Sequence, residues 1–195
     1  MRILFLLLLF FSIPSVAEEP IRDYRDHPNF NSIALFAGTS DYKDSLNVSD
    51  PSFVAVEGYS HLIERYYMTV NGRHSYFDDT TTQLTRNYLN IGVGTYYALG
   101  LSTDLVAEAS AVVVDANVGD REVGASAKIG VWAAFGPELD LKATLGGVSV
   151  DDDTYSQADV TLFRHFNRTF SAGFMVNVTK DWQFYGLGMR YDVLF

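Results

Sequence analysis

The chain has no cysteine in 195 residues. No disulfide can staple it, so its stability must come from hydrogen bonding and packing. Basic residues are scarce as well: 14 Lys and Arg against 24 Asp and Glu. That balance argues against a nucleic-acid partner, because such binding needs a basic surface to displace counterions. Beyond residue 17 no stretch approaches 18 consecutive apolar residues, so no helix can cross a bilayer. Tryptophan is limited to two residues, but Tyr and Phe are plentiful at 12 and 14.

What is present begins with Met1-Arg2 and an unbroken apolar run, Ile3 to Phe11, followed by small residues at Ser15 and Ala17 and acid at Glu18. A basic start, an apolar middle and a small-x-small exit make a secretory signal peptide over residues 1–17, cut after Ala17. The run is too short to span a hydrocarbon core of ~30 Å as a helix. With no cysteine after the cut, a lipid anchor there is excluded. Loss of Arg2 leaves 13 basic and 24 acidic residues, a net charge of −11. Residues 18–30 carry charge, two prolines and no alternation, which predicts an irregular lead-in; a plug for an enclosed lumen is the other reading.

From residue 31 to 195 the chain alternates. Thr85–Leu99 puts Leu89, Ile91, Val93, Tyr97 and Leu99 on one face and Asn90, Gly92, Gly94 and Tyr96 on the other. Leu105–Val113, Val123–Phe135 and Phe170–Val178 repeat the pattern, each with one apolar face and one mixed face. Phe53–Leu62 fits either register, and Gly146-Gly147 marks an expected bulge in the seventh strand. Five Asp-rich breaks (Asp41–Pro51, Asp78–Gln83, Asp115–Glu122, Asp151–Gln157, Thr179–Asp181) interleave with four tighter ones (Leu62–Arg65, Gly100–Asp104, Gly136–Glu138, Phe166–Arg168). Nine breaks divide the segment into ten strands; if two are bends, the number is eight. A chain that crosses a membrane without apolar helices must close into a barrel, since only closure pairs every backbone group within lipid. The expected fold is therefore all-β: an up-and-down antiparallel transmembrane barrel, its tight turns periplasmic and its Asp-rich loops outward. Aromatic residues near the strand ends, among them Tyr66, Tyr97, Phe135, Tyr76, Phe77, Trp182 and Tyr185, fit interfacial girdles. A soluble periplasmic sandwich or lipocalin-like barrel, with the apolar faces turned inward, is the alternative.

The final segment, Trp182 to Phe195, places Tyr185, Leu187, Met189, Tyr191, Val193 and Phe195 on one face. It resembles the C-terminal strand of bacterial outer-membrane proteins, and the whole resembles the broad superfamily of small outer-membrane barrels that includes the outer-membrane protein A-type and opacity-type adhesin barrels. The resemblance implies outer-membrane lipid and lipopolysaccharide as surroundings, the barrel-assembly machinery as a partner, a monomer, and Tyr191, Val193 and Phe195 as an assembly signal. It carries over no functional motif.

Candidate chemistry lies on the inner face. Alternation assigns to it Glu57, His61, Arg73, Glu108, Lys128, Asp140, Lys142, Asp159, Arg190 and Asp192, with His165 beside them. Both signs are present, so these predict a lumenal salt-bridge network, or alternatively the lining of a narrow porin-like passage. An enzyme, lipid A-modifying or proteolytic, would need a base and a nucleophile. His74-Ser75 offers both types, but neighbours in a strand point to opposite faces. A surface adhesin is disfavoured by the short loops. Gly92-Val-Gly94 and Gly186-Leu-Gly188 lack the dinucleotide-binding spacing, and Asp151-Asp152-Asp153 lacks that of a calcium loop. No cofactor or metal site is expected.

Overall fold

The computed structural model describes residues 29–42, 51–78, 83–117 and 120–193. The expected signal peptide, most of the lead-in and Phe195 lie outside these residues. The described residues form ten strands: β1 (Ser32–Tyr42), β2 (Ser52–Ile63), β3 (Tyr66–Asp78), β4 (Gln83–Ala98), β5 (Thr103–Ala116), β6 (Glu122–Phe135), β7 (Leu139–Val150), β8 (Asp153–His165), β9 (Phe170–Thr179) and β10 (Trp182–Asp192). Each pairs antiparallel with its sequence neighbours, and β1 pairs with β10, from Ser32 opposite Asp192 to Tyr42 opposite Trp182. The sheet closes on itself, and the eight-strand alternative falls.

The period of two decides which way each residue faces. Ile33, Leu35, Ile91, Val93, Ile129, Leu145, Leu187 and Met189 are large, apolar and exposed, while Ala34, Phe36, Asn90, Glu108, Arg190 and Asp192 are buried. The apolar faces thus point outward, so the soluble alternative with those faces inward is excluded. An apolar belt of this extent suits lipid rather than water. The earlier ambiguity over β2 resolves with Phe53, Glu57 and Tyr59 inward and Val54 exposed on the outside.

Both strand termini that close the barrel lie at one end, with the turns 64–65, 99–102, 136–138 and 166–169. We call it the terminal end, and the opposite one the loop end. Three expectations change. Gly146-Gly147 makes no bulge: β7 keeps unbroken register with β6 and β8. Gly146 is there because a Cβ would collide with the backbone oxygen of Ala127 on β6. The irregularity falls instead between His61 and Ile63, at the end of β2. The Asp151–Gln157 loop shrinks to a two-residue turn in which Asp151 takes φ 48°, a left-handed conformation that Asp tolerates. Finally, Trp182 does not join an outer girdle; it packs toward the lumen, stacked on Phe184 at 5.9 Å.

Candidate functional site: a filled lumen

Aromatic rings and paired charges occupy the barrel interior. At the terminal end Phe30, two residues before β1, enters the lumen and is buried. Its ring lies 4.6 Å from Tyr67, 4.5 Å from Tyr96 and 4.9 Å from Trp132, centroid to centroid, a stacked and edge-on box of the kind aromatic rings prefer. Polar groups hold the segment in place. Asn29 donates to Asp192 at 3.3 Å, the Val193 amide donates to the Asn31 carbonyl at 2.8 Å, and Asn31 Oδ1 accepts from the His61 amide at 2.8 Å. Of the lead-in, then, the described part enters the barrel. Gly94 makes the box possible, since any Cβ there would collide with the Tyr67 ring.

The middle of the lumen holds charges. Lys142 Nζ reaches Glu108 Oε1 at 2.5 Å and the Tyr59 hydroxyl at 2.9 Å, and Tyr67 donates to the same Glu108 oxygen at 2.9 Å. Lys142 also sits 4.3 Å above the Tyr59 ring. A second set centres on Asp159, which pairs with Lys128 at 2.7 Å and accepts from Gln157 at 2.9 Å and from Asn177. Asn177 in turn accepts from Arg73 at 3.0 Å. Glu57 joins through Tyr59 at 3.5 Å. Between these groups lies a cavity of about 50 Å³, lined by Glu57, Arg73, Lys128, Lys142 and Asp159, room for a few waters and no more.

A third polar cluster ties β10 to β7, β8 and β9. Arg190 forks onto Asp140 at 3.1 and 2.5 Å and reaches Asp192 at 3.2 Å. His165 Nε2 is 3.0 Å from Asp140, and its Nδ1 is 2.5 Å from Ser171 Oγ. Serine, histidine and aspartate in a chain invite comparison with a hydrolase triad. Here Ser171 is fully buried and Asp140 is engaged by a guanidinium. The cluster is a buried ion network. The other imagined pair separates: His74 lies on the outer surface, 2.5 Å from Asn87, and Ser75 is buried inside.

The structure thus brings Glu57, Arg73, Glu108, Lys128, Lys142 and Asp159 together, and separately Asp140, Arg190 and Asp192 with His165. His61 does not join them. It stands at the bulged end of β2, exposed, with Nε2 2.9 Å from the Glu64 carbonyl oxygen. Sequence reasoning missed Phe30, Tyr59 and Tyr67, whereas Trp132 lies inward as the alternation of Val123–Phe135 requires. Tyr59 and Tyr67 share inner-face parity with charges that alternation had already picked out, and that was the available signal. For Phe30, outside any alternating segment, there was none.

A closed ten-strand up-and-down barrel, apolar outside and filled inside, has the fold of small outer-membrane β-barrels. No protein-family model matches the chain, and no curated protein does. Among solved structures it is similar to the Neisserial surface protein NspA, at 12% identity over 83% of this chain and 96% of that one, with a TM-score of 0.47. It is also similar to OprG from Pseudomonas aeruginosa, at 9% identity over 86% and 98% and a TM-score of 0.46. The porin KdgM gives 11% identity over 84% and 99% and a TM-score of 0.44.

Proposed function

We propose that this chain spans a bacterial outer membrane as a structural barrel whose lumen is closed at rest. Export through residues 1–17, lipopolysaccharide as a neighbour and insertion by the assembly machinery, with Tyr191, Val193 and Phe195 as its signal, belong to the same reading. The observation that carries it is the insertion of Phe30 among Tyr67, Tyr96 and Trp132, which obstructs the terminal end while charge pairs fill the middle. Such pairs stay in a narrow lumen because each member neutralises the other's desolvation cost.

A narrow porin-like passage is the second reading, and one feature favours it. Phe30 is carried by a lead-in segment rather than by a strand of the wall, so it can leave without breaking the barrel. The test is planar-bilayer conductance. The intact mature chain is expected to stay at baseline, and steady channel openings in it would sink the closed reading. Phe30→Ala, checked for heat-modifiable gel migration as a sign of a folded barrel, is expected to open brief channels if the passage exists; continued silence would leave the purely structural role.

A further inference from the structure

At the loop end the lumen widens into a vestibule of about 250 Å³. Four aromatic side chains, Tyr88, Tyr155, Trp182 and Phe184, line it among polar groups that include the guanidinium groups of Arg73 and Arg86. Arg73 lines both this space and the central cavity, so it forms the floor between them. Its Cζ lies 3.5 Å from the Phe184 centroid and 5.3 Å from that of Tyr88, and a single N–H donates to Asn177.

The charge arrangement differs from the rest of the lumen. Lys128, Lys142 and Arg190 each meet a carboxylate within 4 Å. Among the described residues no carboxylate pairs with Arg73 or Arg86. Two guanidinium groups without a direct carboxylate partner therefore face one cavity, with Lys180 also on its lining, inside a chain whose net charge is strongly negative. Narrow walls of low dielectric strengthen their field, while Asp153 and Asp181 stand on the exposed rim, where water and salt screen them. Arginine stacked on aromatic rings keeps its planar donor fork free for an oxyanion.

We propose that this vestibule is a binding site for a small organic anion, a carboxylate or phosphate carried beside a ring. The anion would take the free N–H groups of Arg73 and Arg86, and the ring would stack on the aromatic wall. The site lies toward the loop end and does not depend on whether the barrel conducts.

Titration calorimetry of the full mature chain, refolded in a zwitterionic detergent, tests it with phenyl phosphate as the probe. Saturable binding with a Kd of about 1 mM or tighter is expected. Inorganic phosphate should compete, and benzyl alcohol, which offers the ring without the charge, should not. Arg86→Gln, at a half-exposed site, should weaken binding about tenfold or more with gel migration unchanged. Arg73→Lys, which keeps the charge and loses the fork, should also weaken it. Absence of saturable heat, equal binding of benzyl alcohol, or unchanged affinity in folded Arg86→Gln and Arg73→Lys would overturn the proposal.

Discussion

At the scale of single residues, the lumen is governed by pairing. Lys142 neutralises Glu108, and Tyr59 and Tyr67 supply the remaining hydrogen bonds. Lys142→Met leaves a buried carboxylate alone, and we expect it to cost about 3 kcal/mol or more. The double change Lys142→Met with Glu108→Leu removes both charges and should restore most of that loss. Urea-unfolding midpoints in micelles would measure both, and a double variant as weak as the single one would contradict a pairing role. Only half of this site was legible beforehand. Alternation identified the inward charges, because a strand has period two whatever its neighbours do. It could not pair them, since Lys142 to Glu108 spans from β7 to β5 and Arg190 to Asp140 crosses from β10 to β7. Those distances depend on barrel curvature and register, which no single strand encodes. His61 was assigned inward by parity alone and lost to the bulge beside it.

Single elements were easier to foresee. β4, β5, β6, β9 and β10 carry clean alternation and appear where the sequence puts them. β2 is mixed on both faces, so its parity needed the closed sheet. The paired glycines of β7 look like an interruption but serve two faces: Gly146 lets β6 approach closely, and Gly147 is on the exposed side. The lipid face of β10 permits a direct test. Leu187 is exposed near the middle of its strand, with Gly186 and Gly188 facing inward beside it. Leu187→Arg should destabilise the barrel in lipid vesicles by about 2–4 kcal/mol, the cost of a cation near the bilayer midplane. A neutral effect would argue that this face does not meet hydrocarbon.

For the whole molecule, closure is the decisive property. A closed sheet has no unpaired edge, so every wall strand is protected from pairing with another chain. Closure also has a temporal side. Eight of the ten strands pair with both neighbours through short connections, but the contact between β1 and β10 joins Ser32 to Asp192, nearly the full length of the wall. Contacts so distant in sequence carry the largest loop-closure entropy and form slowly. The Arg190 cluster, which anchors β10 to β7, lies toward the terminal end of this seam, as do Asn29 and Val193. Arg190→Ala is therefore expected to slow appearance of the heat-modifiable band during refolding into vesicles, whereas Leu187→Ala should leave that rate nearly unchanged. If both refold at the wild-type rate, the seam is not the slow step. Where it is, the chain spends its longest-lived intermediate as an open sheet with two bare edges, and the buried arginine shortens that exposure.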